Sequence, residues 1–182
     1  FEHILQDYDV ICPKLNDFPM NMKKQYEEGH FLKDLELTQE ITEELFPEYA
    51  PDFRGFLAQN CAYMYNMFVM KKSLFDEYCA WLFAILFELE RRVDIMAYDN
   101  YQARIFGFLS ERLFNVWLLH HKELRIYRAP VKVIDECWRD NRLLSRRLWR
   151  RGLFCPAVKY YLRYLVGKSK GLDILEQDKG GV

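Results

Sequence analysis

YNMFVMKKSLFDEYCAWLFAILFELERRV, residues 65–93, is the stretch on which the fold turns. Its first six residues, Tyr65 to Met70, form an apolar run of strand length closed by Lys71 and Lys72, which predicts a buried strand. Ser73 then reads as an N-cap, with Asp76 three positions on where a capping box usually places Glu. Beyond it Leu74, Tyr78, Trp81, Leu82, Ile85, Leu89 and Val93 recur at helical spacing. Asp76 and Glu77 near the start and Arg91 and Arg92 near the end complement the helix dipole.

The flanks repeat this alternation. Upstream, Tyr8 to Cys12 reads as a short strand ended by Pro13, and Met22 to Glu28 as a short helix closed by Gly29. Leu32 to Leu45 reads as a helix with Leu35, Ile41 and Leu45 on one side, stopped by Pro47, and Pro51 to Ala58 as a further short helical piece. Downstream, a loop at Asp94 to Asn100 leads to a second long helix with the stripe Phe106, Leu109, Leu113 and Val116. Arg125 to Ile134 reads as an edge strand broken by Pro130. Alternating strands and helices define the α/β class, with too few strands for a complete doubly wound sheet.

Composition narrows the function classes. The chain has 182 residues, 51% hydrophobic, enough for one globular domain with a core. The most apolar stretch, Trp81 to Leu89, contains Glu88 and is too short to span a bilayer. The first residue is Phe1, which reads as a fragment, a processed product or a trimmed chain. Five cysteines at wide spacings, without CxxC, argue for buried thiols in a reducing cytoplasm rather than a disulfide framework or zinc site. P-loop, GxGxxG, GxSxG and HExxH patterns are absent, so the usual signatures of phosphoryl transfer, hydride transfer and hydrolysis are missing.

Charge divides the chain. Residues 1–138 carry a net −8, residues 139–170 a net +9 and residues 171–182 a net −2. In the basic stretch Arg142, Arg146, Arg147, Arg150 and Arg151 alternate with Leu143, Leu144, Leu148 and Trp149. We read 139–170 as a basic amphipathic helical segment and 171–182 as a flexible tail. Such a segment suits an anionic membrane surface, at about 1 kcal/mol per cation, or a plain solvated helix. Nucleic acid is not expected as a partner, because no recognition module accompanies the arginines.

Several polar residues invite chemistry. Asp7-Tyr8-Asp9 is a DxD, whose hard oxygens suit Mg²⁺ or Mn²⁺ on a nucleotide diphosphate. Here the apolar strand follows the motif instead of delivering it, which favours a solvated strand entrance. His30 follows Gly29 in a loop and is either a ligand for a sugar hydroxyl or phosphate, or a surface histidine. Asn66, polar in an apolar run, either braces the backbone or meets a ligand. Gln102 and Arg104 open the second long helix, where amides and a guanidinium suit a diphosphate or sugar. Glu111 lies seven residues beyond Arg104 on the same face, and a helix–helix salt bridge is its plain reading. His120 and His121 read as caps at that helix's C-terminus.

Three ordered segments carry a family resemblance: YDVICPK (8–14) followed by YEEGHFLKDL (26–35); NMFVM (66–70) with FDEYCAWLF (75–83); and QARIFGFLSERL (102–113). Together they resemble bacterial capsular polysaccharide, exopolysaccharide and lipopolysaccharide glycosyltransferase domains, a family long described only as a domain of unknown function. The resemblance spans residues 4–134. It implies a partial GT-A-like nucleotide-sugar transferase fold, residues 1–138 forming the C-terminal part of the domain. It also implies a nucleotide-sugar donor. The thiols point to the cytoplasm, and the basic segment suits peripheral attachment to the inner membrane face and a lipid-linked saccharide acceptor. Members carry an upstream His-Tyr-Arg-Arg-Tyr motif that this sequence lacks, which puts nucleotide binding by this stretch alone in question. The resemblance makes His30, Asn66, Gln102 and Arg104 substrate-binding candidates and Glu111 the catalytic candidate, and leaves a divalent metal open. The alternative is a truncated, non-catalytic remnant acting as an interaction module.

Overall fold

Residues 1–131 are described by the structure, a computed structural model. The expectations for 139–170 and 171–182 lie outside the described residues.

A single helical turn, α1 (Ile4–Asp7), leads into β1 (Val10–Pro13) and β2 (Asn16–Asp17). Helix α2 (Met22–Glu27) starts where the Asn21 side chain accepts the Lys24 amide at 2.9 Å, satisfying an N-terminal donor. Helix α3 (Leu32–Leu45) ends before Pro47, and a 3-10 turn at Pro47–Tyr49 runs into α4 (Ala50–Ala58). Next come β3 (Cys61–Ala62), β4 (Val69–Met70) and α5 (Lys72–Arg92). Two 3-10 turns, Ile95–Ala97 and Gln102–Arg104, precede α6 (Ile105–His120) and β5 (Ile126–Ala129).

Apolar patterning decides the layering. Helix α5 buries one stripe, Tyr78, Trp81, Leu82, Ile85, Leu86 and Leu89, and leaves Phe75, Phe83 and Phe87 exposed. Helix α6 is buried around most of its circumference and packs against α3, α4 and α5, which makes it the central helix. Trp117 of α6 meets Tyr78 of α5 edge-on at 5.4 Å, and Phe114 stacks on Phe68 at 4.6 Å. Burial of each such side chain contributes about 1.5–3 kcal/mol.

The larger sheet has the order β4-β1-β5. β1 runs antiparallel to β4, with Val10 opposite Met70, and parallel to β5, with Val10 opposite Ile126. Asp9, just before β1, clasps both neighbours. Its Oδ1 accepts Lys71 Nζ at 2.6 Å and its Oδ2 accepts the Arg125 amide at 2.9 Å. The Lys71 ammonium and the Arg125 amide hold the Asp9 carboxyl down at about 2. A second ladder pairs β2 with β3. The architecture is thus mixed, mostly helical with small sheets, and the expected edge strand is β5, ending before Pro130.

Two local expectations are corrected. Tyr65 to Met70 is not one buried strand. Tyr65 and Asn66 turn through positive φ (78° and 47°), Tyr65, Asn66 and Met67 are exposed, and only Val69–Met70 pairs, at a sheet edge. The central strand is β1. Ser73 does not cap α5; the helix begins at Lys72, with Lys71 as its N-cap residue and no side-chain cap. Lys71 is in its place because its ammonium is drawn to Asp9.

Candidate functional site

The polar candidates converge on the first two turns of α6. Asp99 prepares the approach: its Oδ1 accepts the amides of Tyr101 and Gln102 at 2.9 and 2.7 Å, folding the loop into the 3-10 turn before α6. Gln102 Nε2 donates to the Gly29 carbonyl at 3.0 Å, which ties this loop to the chain entering α3. His30 therefore sits beneath the loop. Its ring lies 4.0 Å from Phe108, 4.7 Å from Tyr26 and, nearly parallel, 5.7 Å from Tyr101. His30 Nδ1 is buried without a hydrogen-bond partner among the described residues. Burial, reinforced by the nearby Arg112 cation, pushes the imidazole below its ordinary 6.5 and keeps it neutral. Arg104 is exposed, its guanidinium 5.4 Å from the centre of the Phe108 ring.

The left-handed turn meets the same helix from another side. The Tyr65 amide donates to the Glu111 carboxylate, and Asn66 Nδ2 donates to the Gly107 carbonyl at 3.2 Å. A left-handed Tyr costs about 1–2 kcal/mol, which these two bonds offset. Glu111 also pairs with Arg112, the next residue, so the expected helix–helix salt bridge is instead a bridge within α6. Arg112 is buried; its Nη2 donates to Gln25 Oε1 at 2.7 Å and its guanidinium lies 5.3 Å from the Tyr26 ring centre.

All five sequence candidates thus surround one helix end. His30 and Arg104 lie against Phe108, Gln102 is tied to Gly29 beside His30, the 65–66 turn bonds Gly107 and Glu111, and Arg112 lies between Glu111 and Tyr26. The arrangement offers an exposed cation, a neutral imidazole, a carboxylate only 14% exposed and flat aromatic faces. Arg112, Tyr26, Tyr101 and Phe108 were not singled out from sequence. Arg112 did leave a signal, since it falls beside Leu109, Leu113 and Val116 on an apolar stripe, where a charge needs a reason.

Two other features are structural. Asp7-Tyr8-Asp9 does not fit a metal site, because Asp7 is exposed and both Asp9 oxygens are engaged by Lys71 and Arg125. Among the described residues no group of His, Cys, Asp and Glu is arranged to hold a metal ion. His120 and His121 brace helices. His120 pairs with Asp52 at 2.9 Å and stacks on Tyr49 at 3.8 Å, and His121 Nε2 meets the Tyr49 hydroxyl at 3.2 Å.

Comparison with known proteins places the chain. Residues 1–122 match the family described as Domain of unknown function (DUF4422), and the chain belongs to that family. Among solved structures it is similar to the apo structure of WbbM, a bifunctional glycosyltransferase, at 29% identity and a TM-score of 0.67 over 70% of this chain. The match covers 24% of the WbbM chain. Nothing matches among curated proteins. The family is therefore glycosyltransferase-like. Among the described residues no helix is long and apolar enough to cross a membrane.

Proposed function

We propose that this chain is part of a glycosyltransferase with a GT-A-like fold that moves a sugar from a nucleotide-sugar donor to a lipid-linked saccharide in capsule, exopolysaccharide or lipopolysaccharide synthesis. The observation that carries the reading is the structural match to the WbbM glycosyltransferase at 29% identity. The residues about α6 are consistent with it. Glycosyl transfer builds positive charge at the anomeric carbon and negative charge on the departing diphosphate. Arg104, exposed at an α6 N-terminus without a side-chain cap or an acidic residue in its first turn, suits the diphosphate. Glu111 supplies a carboxylate for the acceptor hydroxyl or the anomeric centre, held in place by Arg112 and the Tyr65 amide. Gln102, His30 and Asn66 offer neutral hydrogen-bonding groups of the kind that hold sugar hydroxyls. Since the DxD carboxylates do not fit a metal, no step is routed through one.

In this reading the protein works in the cytoplasm, and residues 139–170 hold it to the anionic inner leaflet, where a lipid-linked acceptor resides. A donor screen on the protein expressed from its full reading frame, following nucleoside diphosphate release, tests the activity. Release with one donor, dependent on a saccharide acceptor, is expected. No release and no binding with any nucleotide sugar overturns the proposal. Flotation with anionic vesicles tests the attachment: binding in low salt and release in high salt is expected, and salt-insensitive absence of binding removes it.

A further inference from the structure

His30 and Phe31 are sequence neighbours that turn to opposite sides of the chain entering α3. His30 packs under Tyr101 towards α6, whereas Phe31 meets Tyr98 edge-on at 5.1 Å. Beside Tyr98 lies a cavity of about 250 Å³, lined by residues of the first α3 turns, the end of α5 and the 3-10 turn after it. None of the residues His30, Asn66, Gln102, Arg104 and Glu111 lines it.

The chemistry of this cavity is specific. Asp34 is 3% exposed, yet its carboxylate reaches the lining, and one oxygen is fixed by the Tyr98 hydroxyl at 2.7 Å. A buried carboxylate with a single hydrogen-bond donor on one oxygen has lone pairs to spare. Lys33 stands at the rim with its ammonium 5.0 Å from the Tyr98 ring centre and 5.5 Å from that of Phe31. Arg92 lines another side, oriented by Glu44 at 2.6 Å and by Glu88 at 2.6 Å. Leu37, Val93 and Ala97 supply apolar wall. Arg92 is already paired with Glu44 and Glu88, which leaves Lys33 against Asp34 and Asp94, so the lining has no excess of positive charge. A phosphate gains little from such a lining. A neutral polyhydroxylated molecule gains from all of it: carboxylate oxygens accept its hydroxyl protons, the cations donate to its oxygens, and the Tyr98 ring receives its C–H face.

We infer that this cavity is a saccharide subsite, taking a neutral sugar residue of the acceptor chain, separate from the residues gathered about α6. The identification of the sugar as acceptor rests on the glycosyltransferase reading; the capacity to bind a neutral saccharide does not. The volume suits one sugar residue, so a longer acceptor extends beyond it.

Amide-resolved NMR of the chain, titrated with a panel of neutral mono- and disaccharides, tests this directly. Expected are shifts at residues 31–37 and 92–98 with at least one saccharide. Ala97→Trp fills the cavity from an exposed position and is expected to weaken that saccharide by about tenfold or more, with the melting temperature unchanged. Lys33→Gln, also at the surface, is expected to weaken it by a smaller factor. No shifts in these segments with any saccharide, or equal affinity in wild type and Ala97→Trp, overturns the subsite. Nucleotide-sugar binding is measured on the protein expressed from its full reading frame. Saccharide binding here without nucleotide-sugar binding by that protein leaves the subsite standing and removes the transferase reading. Nucleotide-sugar turnover without saccharide shifts here does the reverse.

Discussion

Asn115 and Tyr63 exchange two hydrogen bonds in the interior: the Tyr63 amide donates to Asn115 Oδ1 at 2.7 Å, and Asn115 Nδ2 donates to the Tyr63 carbonyl at 2.8 Å. The side chain of α6 thereby imitates a neighbouring strand just where the chain leaves β3 and no ladder continues. Both backbone groups would otherwise be buried unpaired. Asn115→Leu keeps the number and branching of the side-chain heavy atoms and removes both partners, so a loss of about 2–4 kcal/mol is expected in urea unfolding. Asn115→Asp keeps the acceptor for the Tyr63 amide but sets a carboxylate against the Tyr63 carbonyl, and is expected to be at least as damaging. A midpoint near wild type for Asn115→Leu would show that the exchange is not holding the segment.

The Asp9 clasp makes the sheet sensitive to acid. Folding lowers the Asp9 carboxyl from its ordinary 3.8 to about 2. A carboxyl depressed on folding contributes stability that is complete above its unfolded value and is lost as the pH falls through the folded one. Wild type is therefore expected to lose this contribution between about pH 4 and pH 2. Asp9→Asn lacks it at every pH, with a cost at neutrality of about 1–3 kcal/mol. Urea midpoints of the two proteins should converge towards pH 2, and a constant difference down to that pH would exclude the clasp as the cause.

Local patterns were readable where one helix face carries the signal. The α5 stripe from Tyr78 to Leu89 and the bounds of α3, stopped by Pro47, follow from spacing and a single breaker. What sequence could not supply were pairings across long separations. Nothing local to Val10 says that Ile126 lies parallel to it, or that Asp9 reaches Lys71 on one side and Arg125 on the other. Tyr65 to Met70 misled for a related reason. An apolar run has strand propensity, but bonds from distant Glu111 and Gly107 fix Tyr65 and Asn66 in a turn. The candidates about α6 were individually visible as polar residues in telling places. Their supports, Arg112, Tyr26 and Phe108, looked like ordinary helix residues until the elements came together.

The neutral state of His30 has a pH signature of the opposite residue type but the same sign. Burial lowers its pKa below 6.5, so the unfolded chain takes up the proton more readily than the folded one. Stability linked to His30 is complete above the unfolded value of about 6.5 and falls as the pH drops towards the folded one. The His30 ring is expected to titrate below 6.5 in histidine-resolved NMR. His30→Phe, which keeps an aromatic ring beside Tyr101 and Phe108, is expected to flatten the stability profile below about pH 6.5. A His30 titration at or above 6.5 would contradict the buried, cation-flanked setting.

Asn66 separates backbone from side-chain roles. Its φ of 47° suits Asn and Gly and strains Ala. Asn66→Gly is expected to keep the turn while losing the bond to the Gly107 carbonyl, and Asn66→Ala to lose both, at about 1 kcal/mol more. Should the amide also hold a sugar, turnover falls in both variants by a similar factor. Turnover that tracks stability instead, with Asn66→Gly close to wild type, assigns Asn66 to the turn alone.

Glu111 demands the most careful substitution, because it has three relationships at once: to the Tyr65 amide, to the buried Arg112 and, in the proposed reaction, to the transferred sugar. Glu111→Ala strips the carboxylate from a buried guanidinium, leaving Arg112 with the Gln25 oxygen and the Phe108 carbonyl as hydrogen-bond acceptors, and is expected to cost about 3–5 kcal/mol. Loss of turnover in that variant therefore says nothing about chemistry. Glu111→Gln keeps one acceptor oxygen, for Arg112 or for the Tyr65 amide, and sets an NH2 against the other donor, while removing the charge and the capacity to take a proton. If the carboxylate acts on the reacting atoms, Glu111→Gln lowers kcat by about 100-fold or more, with donor affinity little changed. Folded Glu111→Gln protein with wild-type kcat returns Glu111 to a structural role, as the residue that holds Arg112 and the 65–66 turn in place.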